Sequence, residues 1–556
     1  MLTIDGREVR VDTRTQKAVF AGGVLTSLVR KSDGRELMKA DPGAVPLELV
    51  YGPSDVAGLA GTPGDSATVL RISDRHAEVR FNAWNGDGIL AIAEDLDNGD
   101  IIVEPSGFAS RPGLRAVRWN LTGIGEGLKL VAPLYQGVNL DLEDPLIQEN
   151  TFNWPHTWDA GFAILQGADG GMWVHCRDTE YRYKRLTIGG KNDSRRLSFD
   201  TEAYGPLTRS LSAGSLAWRI NVYGGDWQVP AAAYRDWLWK AYRLDEQKRP
   251  EWVDGVRFAV SWCPTDITIL DALKARIDPR KVLLHVSHWR SDPYDQNYPT
   301  FTPSEKGAAF VKRAREMGFR AMPHFNAIDT DPSHPTYTYL RDFVYRTVDT
   351  KRAQGWTWVE GRVLPLPESN ESILHHRDKN TMIKIHPGHS MWRSILAENV
   401  AGAARTLGLE VAFLDVTLNT WNIDNCLVEN TTPTEGMKRL TALIAGIDNG
   451  LAVGGEGRNE ITMQDQSFGQ VHLFESWQEN TPGLERTGGC ALNEFVFGKL
   501  CKSFGYTSLA GKTPEQELRM RLHVEHKAIP TVTVRSGEEI EKPNEAVKRM
   551  LEMAME

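Results

Sequence analysis

The sequence feature that most constrains the fold is a change of rhythm near residue 255. From there on, short apolar runs alternate with segments in which apolar residues recur at helical spacing. Strand–helix alternation indicates parallel strands, and about eight such units in one stretch predict a (β/α)8 barrel of the TIM type. The apolar runs lie at 256–260, 282–286, 320–326, 411–415, 451–456, 471–475 and 529–534. Helices are predicted near 270–276, 304–317, 337–346, 391–407 and 434–449.

A doubly wound open sheet is the alternative arrangement for the same alternation. Such a sheet normally carries a Gly-rich phosphate-binding turn after its first strand, and no such turn follows 256–260. Residues 347–383 interrupt the rhythm with a polar and aromatic stretch. Because long loops in compact domains are usually functional, we interpret this stretch as an insertion, a loop or a hairpin, over the mouth of the barrel.

Residues 1–250 follow another pattern, in which apolar and polar residues alternate over short segments. Gly, Pro, Asn and Asp separate these segments at intervals of about 8 to 12 residues, which is typical of an antiparallel β-sandwich. Clear helical spacing at 229–242 predicts a linking helix. We therefore predict a β-sandwich domain with this helix over 1–250, a catalytic barrel over 251–540 and a C-terminal helix over 541–556.

The composition argues against several classes of protein. The net charge is -9, without a cluster of Lys and Arg, so nucleic acid is not an expected partner. The sequence has neither a run of about 18 apolar residues nor a signal peptide, which predicts no membrane insertion and no secretion. Five scattered cysteines without a CxxC pair fit a reducing compartment. We expect a cytoplasmic protein, unless a signal peptide has been removed, and a homo-oligomer stays open.

The sequence is also rich in tryptophan, with 17 residues. An indole ring can stack on the apolar face of a sugar, whose hydroxyls then need polar partners nearby. Packing in the core is the plainer explanation for each Trp taken alone. The excess therefore favours a carbohydrate partner only in combination with a suitable polar site.

Such a site is expected at one end of the barrel. Reactive groups of (β/α)8 barrels lie at the C-terminal ends of the strands, so the first polar residues after each apolar run are informative. Lys384, just before a helical segment, could reach the same site, although a solvated surface lysine is the plainer explanation. The candidates for substrate binding are Trp262, His285, Trp289, Asp292, His324, Asn326, Lys384, Trp421, Glu475 and Trp477.

The strongest signal is a pair of carboxylates at the ends of two consecutive strands, Asp415 in Phe-Leu-Asp-Val and Glu456 in Gly-Gly-Glu-Gly. Glycoside hydrolysis needs two carboxyl groups across a sugar, about 5 to 5.5 Å apart in retaining enzymes and about 6.5 to 9.5 Å apart in inverting ones. We predict Asp415 as the nucleophile, kept ionised by polar neighbours. We predict Glu456 as the acid/base, with its pKa raised by a tighter pocket and by the Asp415 charge.

Each member of this pair also has a purely structural explanation. Asp415 could cap a helix or a turn after its strand. Glu456 could pair with Arg458 or Arg486, and Glu475 competes with it for the acid role. The joint position of Asp415 and Glu456 at adjacent strand ends favours catalysis over these explanations.

Several histidines near strand ends raise the question of a metal. A catalytic metal would need about three such ligands around an open position. His386 and His389 lie in a Pro-Gly turn and not on one helix face, so they do not form the zinc-peptidase pattern. We predict no metal and no other cofactor, and we assign the histidines to hydrogen bonds with sugar hydroxyls or to packing.

With these residues in place, the chain resembles retaining α-glycosidases that carry a galactose-mutarotase-like β-sandwich before the barrel. Its plan is similar to that of the α-N-acetylgalactosaminidases of glycoside hydrolase families 101 and 129 and, more distantly, of α-galactosidases. In those families an Asp closing the fourth strand is the nucleophile and a later Glu or Asp is the acid/base, which corresponds to Asp415 and Glu456. The resemblance implies a β-sandwich plus α/β barrel fold and a retaining glycosidase for an α-galactoside or an α-N-acetylgalactosaminide.

Two other functions stay open at this point. A catalytically degenerate carbohydrate-binding protein would keep the sugar pocket without turnover. A metal-dependent hydrolase or lyase would use the histidines at the barrel rim. For the glycosidase, the expected partner is a carbohydrate: an oligosaccharide, a glycan or a glycoconjugate.

Overall fold

The computed structural model describes residues 1–41, 43–52, 55–59, 66–144, 149–190, 195–247, 249–366, 380–448, 450–471, 489–505 and 513–556. The chain divides into two units. Unit 1 comprises Met1–Ala241 and Trp477–Val496, and unit 2 comprises Tyr242–Ser476 and Phe497–Glu556.

Unit 1 consists mainly of antiparallel strands. They are β1 (Leu2–Asp5), β2 (Glu8–Asp12), β3 (Gln16–Ala21), β4 (Val24–Arg30), β5 (Arg35–Glu36), β6 (Leu47–Val50), β7 (Val56–Gly58), β8 (Ser66–Ser73), β9 (His76–Ala83), β10 (Gly86–Glu94), β11 (Ile101–Ala109), β12 (Ala116–Thr122), β13 (Lys129–Ala132), β14 (Val138–Asp141), β15 (Asn150–Asn153), β16 (Phe162–Gly167), β17 (Gly170–Cys176), β18 (Lys184–Gly189), β19 (Arg196–Glu202), β20 (Ser212–Gly214) and β21 (Trp218–Gly224). They form a five-stranded sheet (β1-β2-β3-β4-β5) and a six-stranded sheet (β15-β18-β19-β12-β6-β7). A ten-stranded sheet has the order β14-β13-β16-β17-β21-β11-β10-β9-β8, with β20 paired to β11.

The two larger sheets of unit 1 share an aromatic core. Strand β11 shows the alternation that produces a buried face, since Ile101 and Val103 are buried and their neighbours are half-exposed. The ring of Phe199 in the six-stranded sheet lies 5.0 Å from the ring of Trp218 in the ten-stranded sheet, and Trp218 stacks on Trp158 at 6.1 Å. This packing is consistent with the predicted β-sandwich.

Unit 2 contains an eight-stranded parallel sheet in the order β32-β31-β30-β29-β24-β23-β22-β33. A parallel bridge between Phe504 and Ile529 joins the two end strands, and Ile529 N–H donates to the Ser503 carbonyl at 2.8 Å. The sheet is therefore a nearly closed barrel, consistent with the predicted TIM-type fold. The strands of unit 2 are β22 (Phe258–Cys263), β23 (Val282–Val286), β24 (Arg320–Asn326), β25 (Asp329–Thr330), β26 (Gly355–Val359), β27 (Arg362–Pro365), β28 (Thr381–Lys384), β29 (Val411–Asp415), β30 (Ala452–Glu456), β31 (Phe468–Val471), β32 (Lys502–Gly505) and β33 (Thr531–Val532).

Two barrel strands differ from the sequence prediction. A strand was predicted at 471–475, but β31 covers Phe468–Val471, so the two share only Val471. Residues 472–475 lie outside the described ranges. Strand β32 was not predicted, because it is short and contributes only one large apolar side chain, Phe504. Length and hydrophobic pattern are weak signals for a strand of four residues.

Helices follow several of the barrel strands and begin where capping residues stand in the sequence. The side chains of Asp266, Ser304 and Thr432 accept hydrogen bonds from backbone N–H groups of the first turn. Near 337–346 the helix is only one turn, so the longer helix predicted there is wrong. The described helices are α1 (Gln228–Tyr242), α2 (Ile267–Lys274), α3 (Glu305–Glu316), α4 (Tyr337–Leu340), α5 (Ser390–Leu407), α6 (Pro433–Ala445), α7 (Leu492–Phe497), α8 (Thr513–Glu525), α9 (Glu538–Glu541) and α10 (Glu545–Met555).

The stretch interpreted as an insertion contains the hairpin β26–β27 and most of β28. These strands form a four-stranded antiparallel sheet in the order β25-β28-β26-β27. Since β25 almost directly follows β24, this small sheet adjoins the C-terminal end of the third barrel strand. It brings side chains from a remote part of the chain to the end of the barrel where reactive groups are expected.

The cysteines are all free and buried. Within the described ranges, no helix has the length and apolar composition needed to cross a membrane.

Candidate active site

The barrel interior changes from apolar to polar along the strands. Side chains of a strand point inward at every second residue. Ala259, Leu283, Met322, Phe413, Ala452, Phe468 and Phe504 belong to one buried apolar cluster that fills the interior. The inward positions nearer the C-terminal ends are polar and buried, and they are Ser261, His285, His324, Asp415, Glu456 and Gln470. A polar layer therefore lies directly above an apolar floor.

Asp415 and Glu456 lie side by side at the ends of β29 and β30. The backbone N–H of Val416 donates a hydrogen bond of 3.0 Å to Oε2 of Glu456. Only four covalent bonds separate this nitrogen from the carboxyl carbon of Asp415, so that carbon lies within about 9 Å of Glu456 Oε2. The Thr417 hydroxyl donates to the Glu456 carbonyl at 2.9 Å and joins the two strand ends a second time. This separation is within reach of one sugar ring.

The backbone around the polar layer is strained at two residues. Val416, directly after Asp415, has a φ of 57°, and Trp262 has a φ of 53°. Left-handed backbone is rare for a β-branched residue such as Val, and it costs about 1–3 kcal/mol. Strain of this kind is typical of functional sites, where the surrounding structure holds the chain in one geometry.

The two barrel histidines lie beneath Asp415 and contact each other. His285 Nε2 is 3.0 Å from His324 Nδ1, and His324 Nε2 is 3.6 Å from Asp415 Oδ2. Burial lowers the pKa of His285 to about 3 and that of His324 well below its usual value. Both rings are therefore neutral. His285 is fully buried beside Phe413, so it lies behind His324 and not at the sugar-binding surface predicted for it.

The electrostatic state of Asp415 differs from the sequence prediction. Burial, first, and the charge of Glu456, second, raise the pKa of Asp415 well above its usual value, and Asp295 and Asp329 act in the same direction. The Lys384 ammonium lowers it. Burial and the mostly acidic neighbours therefore act against the ionisation that was expected for Asp415.

Lys384 is a buried residue of β28 and not a solvated surface lysine. Its Nζ lies 3.3 Å from Oδ1 of Asp329 and 4.3 Å from the ring centroid of Trp356. Asn326 donates to Oδ2 of Asp329 at 2.8 Å, and its own Oδ1 accepts from the backbone N–H groups of Ile328 and Asp329. Asn326 thus shapes the turn that carries Asp329, and Lys384 balances part of the charge of Asp329.

The predicted tryptophans fall into different places. Trp262 is half-buried, with its ring 5.4 Å from His324 and 5.7 Å from Tyr294. Trp421 is half-buried against Tyr345 at 6.0 Å. Trp289 requires a correction, because its indole is fully buried and its Nε1 donates to the His324 carbonyl at 2.9 Å. It supports the third strand and does not stack on a sugar.

Asp292 is half-buried and accepts a hydrogen bond from Asn297 Nδ2 at 3.2 Å. Glu475 and Trp477 lie outside the described residues.

Sequence reasoning missed a third carboxylate, Asp295. Both Trp356 Nε1 and Trp358 Nε1 donate to its Oδ2, at 3.1 and 2.7 Å. Its Oδ1 has no hydrogen-bond partner among the described residues, and burial raises its pKa to about 6. The Trp-Thr-Trp sequence in the insertion could have indicated a site with two indole donors, because alternate residues of a strand present their side chains to the same face.

The described residues contain no group of three or more His, Cys, Asp or Glu side chains arranged to hold a metal ion. Asp415 and Glu456 are both buried, and Glu456 accepts a hydrogen bond from Val416 N–H.

Residues 215–432 match the model of a domain of unknown function, DUF6259. No curated protein matches the sequence. Among solved structures, the chain is similar to the ligand-free α-N-acetylgalactosaminidase NagBb from Bifidobacterium bifidum, with a TM-score of 0.69 at 12% identity, over 98% of this chain and 92% of that one.

Two further structures have the same arrangement. A GalNAc complex of NagBb gives a TM-score of 0.67 at 12% identity, covering 100% of this chain and 92% of that chain. The GH36 α-galactosidase AgaA from Geobacillus stearothermophilus gives 0.50 at 10% identity, over 99% and 85%. The predicted resemblance to α-N-acetylgalactosaminidases and α-galactosidases is therefore confirmed at the level of the fold.

Proposed function

We propose that this protein is a glycoside hydrolase that cleaves an α-linked galactose or N-acetylgalactosamine with retention of the anomeric configuration. The observation that carries the proposal is the hydrogen bond from Val416 N–H to Glu456 Oε2, which holds the second carboxylate beside Asp415. The similar solved structures are α-glycosidases, and one of them holds GalNAc, which supports the class of sugar.

The proposed reaction has two steps. In the first, a carboxylate oxygen of Asp415 attacks the anomeric carbon while Glu456 gives its proton to the glycosidic oxygen, so that the C–O bond breaks and the aglycone leaves as an alcohol. In the second, Glu456 takes a proton from water, the water oxygen attacks the anomeric carbon, and Asp415 is released. Because Val416 N–H occupies Oε2 of Glu456, Oε1 is the oxygen assigned to the proton.

Asp415 has to ionise before it attacks. Its acidic neighbours oppose this, whereas Lys384 favours it. The positive charge that develops on the sugar in the transition state favours the Asp415 anion as well. Because the pKa of Asp415 is raised, its ionisation depends on the positive charge that the substrate develops. An interaction that becomes stronger in the transition state than in the ground state is one that accelerates the reaction.

The proposal includes three further expectations, on the type of β-sandwich, the substrate and the location. We assign the sandwich of unit 1 to the galactose-mutarotase-like type. The substrate is an oligosaccharide, a glycan or a glycoconjugate. The free, buried cysteines support a reducing, cytoplasmic location.

The first test is a panel of nitrophenyl α- and β-galactosides and N-acetylgalactosaminides, with NMR of the first-formed sugar. We expect turnover of an α-glycoside and release of the α-anomer first. A β-anomer released first would leave Asp415 only the role of a base. Sugar binding without any turnover would indicate a carbohydrate-binding protein instead.

A second test assigns the two roles separately. In Asp415→Gly, added azide is expected to attack the α-glycoside directly and give a β-glycosyl azide. In Glu456→Gly, azide is expected to attack the glycosyl-enzyme and give an α-glycosyl azide. The reverse pair of products would exchange the roles of the two carboxylates.

A further inference from the structure

A chain of polar contacts, two hydrogen bonds and one longer contact, runs through the polar layer from the first barrel strand to Asp415. The backbone N–H of Trp262 donates to His285 Nδ1 at 3.3 Å. His285 Nε2 is 3.0 Å from His324 Nδ1, and His324 Nε2 faces Asp415 Oδ2 at 3.6 Å. The chain thus crosses four neighbouring strands.

The direction of this chain follows from its first donor. A backbone nitrogen can only donate, so Nδ1 of His285 is an acceptor, and the neutral ring carries its hydrogen on Nε2. That hydrogen is donated to Nδ1 of His324, which is therefore also an acceptor. The second ring then carries its hydrogen on Nε2, the atom that faces Asp415.

The surroundings hold both rings in this arrangement. Gln470 Nε2 donates to the Ser261 hydroxyl at 2.7 Å and lies 3.4 Å from His285 Nδ1, so a second donor reinforces the acceptor role of that atom. The ring of Phe413 lies 4.2 Å from the ring of His285 and 5.4 Å from the ring of His324. Both histidines are buried, so water does not compete for their nitrogens.

From this geometry we propose that His285 is a positioning residue that fixes the tautomer of His324 and thereby keeps an N–H group directed at Oδ2 of Asp415. The inference rests on the proposed function of Asp415 as the nucleophile. His285 itself does not reach the sugar, because it is fully buried behind His324. His324 supplies the contact, and His285 decides whether the atom it presents is a donor or an acceptor.

The consequence is a stabilised Asp415 anion. An N–H group favours the ionised carboxylate, whereas a bare ring nitrogen at the same place would repel it. Outer partners that orient metal-ligating histidines typically change affinity or activity about 10–100-fold when removed, and we expect an effect of the same order for His285. The groups that face Asp415 are Glu456, Asp295, Asp329, Lys384, Tyr298 and His324, and those that face His324 are His285, His288 and Arg290.

The first experiment measures the tautomer itself, independently of activity. The full chain labelled with 15N-histidine is examined by long-range 15N–1H NMR, and the His324 signals are assigned with His324→Gln. We expect His324 to carry its hydrogen on Nε2 in the unmodified protein and to lose this preference in His285→Leu. A hydrogen on Nδ1 of His324 in the unmodified protein would overturn the proposal.

The second experiment measures catalysis with the best aryl α-glycoside. We expect His285→Leu to lower kcat about 10–100-fold with little change in KM, and to move the acid limb of the kcat/KM profile up by about one pH unit. The sign follows because loss of the N–H donor raises the pKa of Asp415, which must be ionised to attack. His285→Gln keeps an acceptor for Trp262 N–H and a donor for His324, so it should restore most of kcat and the acid limb.

His386 provides a matched control. It is equally buried and neutral, its Nδ1 accepts from Gly388 N–H at 2.9 Å, and its Nε2 lies 3.1 Å from the Cys426 carbonyl. His386→Leu should leave the acid limb where it is. An equal shift in both Leu variants, or an unchanged kcat and acid limb in a His285→Leu enzyme that has lost the tautomer, would overturn the proposal. Absence of all turnover would refute the proposed function, while the NMR result would still decide the tautomer.

Discussion

The backbone N–H of Val416 donates a 3.0 Å hydrogen bond to Oε2 of Glu456, so the residue that follows one carboxylate holds the other in place. Val416 itself has left-handed backbone geometry. The two carboxyl groups are therefore coupled both through the backbone and through their charges.

This coupling predicts the effect of neutralising one partner. Glu456→Gln should lower the pKa of Asp415, because the negative charge of Glu456 raises it. The amide oxygen of Gln can still accept from Val416 N–H, so the geometry should persist. With an aryl α-glycoside whose leaving group needs no protonation, the acid limb of kcat/KM should move to lower pH. An upward movement would contradict the assigned interaction.

Asp415→Asn should separate stability from catalysis. Turnover should fall at least about 10³-fold, since an amide does not attack the anomeric carbon. The same change should raise the free energy of unfolding at neutral pH by about 1–3 kcal/mol, because it removes a buried carboxyl group whose ionisation is disfavoured. Thermal unfolding measures this effect. Asp448→Asn, which removes an exposed partner of Arg405, should give no such gain.

Asp295 should make stability depend on pH in a defined window. The pKa of Asp295 is raised by burial to about 6 in the folded state, against an ordinary value of 3.8. The folded state therefore holds this proton when the unfolded state has lost it, and its contribution to stability falls as the pH rises from about 4 to 6. Asp295→Asn should gain up to about 3 kcal/mol relative to the parent across that window, as measured by denaturant unfolding. A constant difference between pH 4 and 7 would refute the raised pKa.

Gly455 should be intolerant of a side chain. A Cβ atom there would lie 2.1 Å from Gln466 Nε2 and 2.6 Å from the Thr417 hydroxyl that donates to the Glu456 carbonyl. Gly455→Ala should displace the end of β30 and lower kcat about tenfold or more. Gly402→Ala in helix α5, where a Cβ meets nothing within 4 Å, should instead stabilise by about 0.5–1 kcal/mol. Similar activity in the two variants would contradict this account.

Much of the site could be predicted because the reactive groups of a barrel lie at the C-terminal ends of its strands, and these ends can be located in the sequence. Asp415 and Glu456 each end an apolar run, and parallel strands bring the ends of neighbouring runs together. Their adjacency therefore required only the correct assignment of two strands. The same reasoning located His324 near Asp415.

Other residues could not be assigned this way. Trp262 lies near the end of β22 and Trp289 follows β23, yet Trp289 is fully buried and Trp262 half-buried, because packing by distant segments decides exposure. Lys384 precedes a helix in the sequence, but its strand β28 pairs with β25 and brings its ammonium to Asp329. Strand pairing over such a separation has no local signal.

The amino-acid sequence by itself determined the alternation of strands and helices, the polar residues at the strand ends and the pair of acids on consecutive strands. These depend on hydrophobic period and on order along the chain. Only the tertiary structure decided that burial and acidic neighbours raise the pKa of Asp415, that His285 acts through His324, and that Asp295 stands beside them with two indole partners. Protonation and hydrogen-bond direction depend on desolvation and on distances between remote segments, and these exist only once the chain is folded.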